Sequence, residues 1–208
     1  MRRPFIIVSA IVLLGVGGLL AVQWRSRAQE SAELLASVAR AMALAQSEEG
    51  LSDAAVELEN VLKRSPDFVP ALLARGEVCL RLSRWNDAIE PLRHASELTG
   101  GSESEGRDHA RAQLLLGRAL AERYRGTSDD GDFRGARFAF QDARKAPEFE
   151  ADAIQGYAML YLQKGRHRDF KKVLASFDEL LQKHPDYPDA PSIRERVDDL
   201  RAKYSVGE

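Results

Sequence analysis

Apolar residues recur along the chain at spacings of three, four and three, the interval at which side chains return to one face of an α-helix. Leu51, Ala54, Leu58 and Val61 form one such set, and Trp85, Ala88, Leu92 and Ala95 repeat it at an offset of 34. The same four slots return as Phe133, Ala136, Phe140 and Ala143, at a further offset of 48, and as Phe170, Val173, Phe177 and Leu180, at a further 37. Each set predicts a helix that buries one face.

A second helix precedes each of these. Leu72, Gly76 and Cys79 match Gln113, Gly117 and Leu120 at an offset of 41. Because 41 exceeds 34 by seven and 48 exceeds 41 by seven, one insertion of seven falls between repeats, near "GGSESEG". The other falls inside the next hairpin, near "YRGTSDDGD". Both are expected on loops, since stacked helical repeats tolerate insertions at their connections. The Pro and Gly of "SPDFVP", Gly100-Gly101, Pro147 and "HPDYPDAP" mark the hairpin ends. The pattern thus divides residues 29–188 into four hairpins, about 35–68, 69–102, 108–148 and 150–185. Residues 189–208 add a last helix with Ile193, Val197, Leu200 and Tyr204 on one face, the half-polar cap that a solenoid needs. Pro191 suits its first turn.

The N-terminal pattern is different in kind. From Pro4 to Trp24 no residue is charged, and at roughly 1.5 Å per residue such a run spans a hydrocarbon core of about 30 Å. Residues 5–24 are therefore read as a transmembrane helix within an anchor segment of 1–28. Arg2 and Arg3 precede it, Arg25 and Arg27 follow it, and Trp24 sits at an interfacial position. A cleaved signal peptide is the alternative. The run is longer than the usual apolar region of about 7–15 residues, and no small-x-small pair directly follows it. The charge bias leans towards a cytoplasmic N-terminus, which would place the repeats in the periplasm of a bacterium, anchored in the inner membrane.

Composition narrows the function classes. Alanine, leucine, arginine and glutamate dominate, favouring an all-α fold. The 30 Lys+Arg and 32 Asp+Glu are scattered among the helices, with no basic stripe for a nucleic-acid backbone. The lone Cys79 permits no internal disulfide. On a helical wheel Cys79 faces the partner helix while His94 and Asp87 point outward, so these three do not form a site. His94, His109, His167 and His184 lie in separate hairpins or loops, with no second cysteine to join them at a zinc ion. "SDDGD", residues 128–132, lacks the alternating oxygens and closing glutamate of a calcium loop. There is no glycine-rich phosphate motif. The expectation is a protein that is not an enzyme, with no cofactor, no metal, no nucleic acid and no small-molecule substrate. An enzyme using Cys79 is the rival that a Cys79→Ser substitution would test.

A period of 34, a small residue where paired helices cross, an aromatic opening the second helix and proline in the connection resemble the tetratricopeptide repeat family. In "PALLARGEVCLRLSRWNDAIEPLRHA" the Leu72, Gly76, Trp85, Ala88, Leu92 and Ala95 slots match the family pattern. The first copy keeps Ala54, Leu58 and Pro66 but has Ala41-Met42 where the family prefers Leu-Gly. The fourth reads as Tyr157, Ala158, Tyr161 and Gly165, with about three extra residues before Phe170. The resemblance implies an α-solenoid of about four hairpins plus a capping helix. It also implies that the first helices of successive hairpins line a concave groove for an extended peptide or partner helix, which nominates Leu73, Glu77, Leu80, Arg111, Leu114 and Arg118. Members that clamp a carboxylate carry lysine and asparagine pairs there. Here the corresponding slots hold Ala39, Ala43, Leu73 and Glu77, with Arg118 alone of the right charge, so a clamp is not implied. That the leucines simply pack between hairpins is the competing reading. The expected function is a membrane-anchored scaffold or adaptor that binds a protein partner, a membrane complex among the candidates, in cell-envelope assembly, secretion or quality control. The rival is a structural subunit with an empty groove.

Overall fold

The computed structural model describes residues 24–25, 27–100 and 106–204. Among the described residues there are helices and no strand: α1 at 27–44, α2 Leu51–Arg64, α3 Val69–Arg81, α4 Trp85–Thr99, α5 Gly106–Thr127, α6 Asp130–Ala143, α7 Pro147–Leu162, α8 Phe170–Lys183 and α9 Ala190–Tyr204. They pair in order as α3/α4, α5/α6 and α7/α8, with α9 packed on α8, and α1 shares a buried cluster with α2. The uncharged run read as a membrane span lies, but for Trp24, outside the described residues. Among the described residues no helix is long and apolar enough to cross a membrane.

The helix boundaries follow from local chemistry. Asp129 caps α6 by accepting a hydrogen bond from the Asp132 amide at 3.0 Å, and Asp169 caps α8 from the Lys172 amide at 3.1 Å. Such a side chain satisfies one of the amides that a first turn leaves without a partner. Pro70 and Pro147 sit in the first turns of α3 and α7, where no amide hydrogen is needed. Pro91 lies inside α4. It is the seventh residue, and the carbonyl it leaves unpaired is that of exposed Asp87, on the side open to water.

The repeating stripes form the core. Ala54, Leu58, Ala88, Leu92, Ala95, Ala136, Ala143, Val173 and Leu180 have no exposed surface, and Phe140 and Phe177 are 1% exposed. At about 1.5–3 kcal/mol for each large apolar side chain, such burial is what holds successive hairpins together. Small residues let the helices approach. A Cβ at Gly76 would run into the side chain of Leu92, and Phe140 lies between Gly117 of α5 and Gly156 of α7. One buried cluster joins α1 and α2 to Ala71, Ala74 and Val78 of α3, and a second runs from Leu72, Leu73 and Cys79 to Leu200. Helix α3 therefore belongs to both.

One expected loop is a helix. The insertion near "YRGTSDDGD" extends α5, whose 22 residues exceed the 13 of α3. Only Ser128 and Asp129 connect it to α6. The extra turns are held by tertiary contacts: Tyr124 is 3% exposed with its ring 5.3 Å from that of Phe133. The Arg123 guanidinium grips Asp132 from both sides, Nε to Oδ2 at 2.8 Å and Nη2 to Oδ1 at 2.5 Å. In the fourth hairpin the connection from α7 to α8 runs over 163–169, against 82–84 in the second, with Gly165 in a left-handed conformation (φ 135°) that favours glycine.

Candidate protein-binding groove

The first helices α3, α5 and α7 are neighbours, and together they wall a groove of about 680 Å³. Its apolar surface comes from Leu80 on α3, Leu114 and Leu115 on α5, and Phe149 and Met159 on α7, with Trp85 at the start of α4. Of the six residues nominated from the resemblance, Glu77, Leu80, Arg111, Leu114 and Arg118 line this groove. Leu73 does not. It is 3% exposed and belongs to the core between hairpins, which is the competing reading realised at that position.

The charged positions on the wall are tied to one another across helices. Arg111 of α5 donates to Glu77 of α3 at 2.6 Å, and Arg118 of α5 lies 3.2 Å from Asp152 of α7. Asp152 also accepts from the Tyr187 hydroxyl at 2.8 Å, and Gln155 donates to Asp189 at 2.8 Å. The partners stand 34 or 35 residues apart, one repeat. Burial, and then the hydrogen bond to Asp152, pushes the Tyr187 hydroxyl well above the ordinary phenol range. Pairs exposed to this degree add less than about 1 kcal/mol each to stability. Their main effect is geometric: they join α3 to α5, α5 to α7, and α7 to the segment before α9.

The residues examined for catalysis are placed otherwise. Cys79 is 1% exposed, and burial pushes its thiol up, away from the reactive thiolate. His94 meets Asp67 at 3.0 Å and Asp87 meets Arg84 at 2.6 Å, both on the surface. The three do not converge. The acids of "SDDGD" are each engaged: Asp129 caps α6, Asp130 meets Arg166 and His167, and Asp132 holds Arg123. Among the described residues no group of His, Cys, Asp or Glu has the geometry to hold a metal.

Sequence reasoning missed a line of Ser96, His109 and Asp142, brought together from α4, α5 and α6. His109 Nε2 is 2.8 Å from Asp142 Oδ2, and its Nδ1 is 3.5 Å from Ser96 Oγ. The nearer partner of Nδ1, however, is the Ser96 carbonyl oxygen at 3.1 Å. Ser96 Oγ accepts from Gln113 at 2.8 Å and is on a residue only 7% exposed. A serine so engaged and enclosed is not positioned as a nucleophile. The line is a polar brace between three helices. His109 and Asp142 are far apart in the chain and joined only by tertiary packing, so the pair leaves no local signal in a sequence.

The chain is similar to the solved structure described as the crystal structure of MamA, an all-helical protein of tetratricopeptide-repeat type. The TM-score is 0.55 and the identity 24%, covering 76% of this chain and 86% of that one. No family model matches the sequence, and no curated protein matches it. At this identity the likeness bears on the fold: the chain is an all-helical repeat with a tetratricopeptide-like fold.

Proposed function

We propose that the chain is a membrane-anchored scaffold whose groove between α3, α5 and α7 holds a peptide or helix of a partner protein, in cell-envelope assembly, secretion or quality control. The observation that carries the reading is the groove itself. Its half-buried apolar residues Leu80, Trp85, Phe149 and Met159 reach solvent while its charged walls are braced across repeats, a surface suited to an amphipathic segment. The anchor rests on the uncharged run from Pro4 to Trp24. Confinement beside a membrane complex raises effective concentration, so a groove of modest affinity suffices. The repeats face the periplasm in this reading.

Photo-crosslinking in native membranes tests the groove. The full chain carries a benzophenone amino acid at Leu80 or Phe149 inside it, or at Phe138 on α6, which is 60% exposed and outside it. The expected result is one common partner captured from Leu80 and Phe149 and absent from Phe138. Release of the full chain from membranes by alkaline carbonate would remove the anchor from the reading.

A second reading, a structural subunit packed through its outer face, is favoured by Val56 and Phe138, both about 60% exposed. Each lies five positions after the residue that opens its stripe, Leu51 and Phe133. Capture from Phe138 and Val56 but not from the groove would establish it instead.

A further inference from the structure

The groove has a distinct end. Past Met159 it opens into a recess of about 430 Å³ lined by Arg125, Met159, Leu162, Gln163, Lys164 and Arg168, with Arg125 and Met159 shared by both cavities. This recess forms where the elongated α5 reaches the long α7–α8 connection, the two departures from the regular repeat.

Its charge is unbalanced. The recess lining holds three cations and no carboxylate. Arg125 has Glu122 at 2.9 Å, and Arg168 donates to the Gln163 carbonyl at 3.4 Å and lies over the Phe170 ring at 5.4 Å. Among the described residues no carboxylate pairs with Lys164. Cations near helix C-termini are ordinary, because they complement the helix dipole. What differs here is their convergence beside an apolar floor. Arg111, Arg118 and Arg125 have Glu77, Asp152 and Glu122, so among the described residues the recess cations with no carboxylate in an ion pair are Lys164 and Arg168.

Resting on the groove reading above, we propose that the segment bound there is an apolar run followed by Asp or Glu side chains. The apolar run lies over Leu80, Phe149 and Met159, and the carboxylates enter the recess of Arg125, Lys164 and Arg168. None of these three cations occupies the slots from which a terminal-carboxylate clamp is built, which hold Ala39, Ala43, Leu73, Glu77 and Arg118. The ligand chemistry is therefore side-chain carboxylates within a chain. The charges give the segment its direction, and the apolar floor supplies most of the contact area.

The test selects peptides from a random library displayed with both ends fused, so that no free C-terminus is present, on the full chain in detergent. A second selection uses the Arg125→Gln, Lys164→Gln, Arg168→Gln variant, with melting checked to be unchanged. The native chain is expected to enrich apolar runs followed by Asp or Glu. The variant is expected to bind those peptides about tenfold more weakly, as loss of two or three exposed pairs implies, and to lose the acidic preference while keeping the apolar one. Enrichment of apolar peptides with no acidic bias, blocked by Leu80→Arg, would overturn this proposal and leave the groove reading standing. Enrichment of nothing, or of peptides that Leu80→Arg leaves bound, would overturn both.

Discussion

The second and third hairpins share one hydrophobic pattern but are held together differently. In the second, Gly76 lets Leu92 of α4 lie against the α3 backbone, and the residue before the opening aromatic, Arg84, pairs on the surface with Asp87. In the third, Phe140 takes the place of Leu92 and lies between glycines of two successive hairpins. The residue before its opening aromatic is Asp132, 5% exposed and gripped by Arg123. The Gly76–Leu92 approach is thus made between the two helices of one hairpin. The third hairpin is a junction, whose longer first helix is tied down by a charge pair and whose central ring reaches into the next repeat. A solenoid is stabilised by its interfaces as much as by its units, so these two hairpins should fail differently when cut.

The largest expected effect separates them directly. Phe140→Ala removes a ring 1% exposed and opens a void against both Gly117 and Gly156. Leu92→Ala opens one chiefly within the second hairpin. Losses of about 4 kcal/mol for Phe140→Ala and about 3 kcal/mol for Leu92→Ala follow from the usual range for such cavities. Urea unfolding of the full chain in detergent reads both. The junction role further requires that Phe140→Ala raise amide exchange in α7 as well as in α5 and α6, whereas Leu92→Ala should leave α7 protected. Equal effects on α7 would end the distinction.

Next in size is Asp132→Asn. The acid is nearly enclosed and its partner's side chain is 32% exposed, so the arginine left behind can recover some hydration. The cost is about 2 kcal/mol, below that of stranding a fully buried charge. Arg84→Gln, in the same slot of the second hairpin, breaks a surface pair and should cost under about 0.5 kcal/mol. The extra turns of α5 give a second readout: proteolysis after Arg125 should accelerate in Asp132→Asn and not in Arg84→Gln. Unchanged cleavage would mean that Tyr124 alone holds those turns.

These contrasts mark where sequence reasoning succeeds. The stripes are legible because burial repeats at a helical interval, and every Ala and Leu slot of the second hairpin lies in the core as its spacing requires. The helical state of Tyr124-Arg125-Gly126-Thr127 is not legible, because glycine and a nearby acidic run suggest a turn. A buried ring and an ion pair with Asp132 overrule that preference from outside the segment. The groove is legible in part for a similar reason. Leu73 and Leu114 occupy one slot in successive hairpins, and both are almost fully buried, yet only Leu114 lines the groove. Periodicity tells which way a side chain faces. Whether the neighbouring helix closes over it depends on the angle between repeats, which no local pattern records.

The smallest expected effect concerns polarity at one more shared slot. Position 94 of the second hairpin and position 142 of the third correspond, at the same offset as the stripes of α4 and α6, and each joins an imidazole to a carboxylate with the roles exchanged. His94 meets Asp67, whose side chain is 73% exposed, whereas Asp142 receives His109 at 2.8 Å and Lys145 at 2.5 Å and is 30% exposed. Burial raises the Asp142 carboxyl, but the hydrogen bonds from Lys145 and His109 outweigh it and hold the group below the ordinary 3.8. With the folded value below the unfolded one, its contribution to stability is present above 3.8 and is lost as pH falls through the lower folded value. Asp142→Asn should therefore cost under about 1 kcal/mol at pH 6. That deficit should shrink towards zero as unfolding is measured at successively lower pH, through the region where the native carboxylate takes up its proton. Asp67→Asn, at a position open to water, should show little deficit at pH 6. A deficit for Asp142→Asn that stays constant into acid would mean that the packing of this side chain, and not its charge, ties α6 to α5.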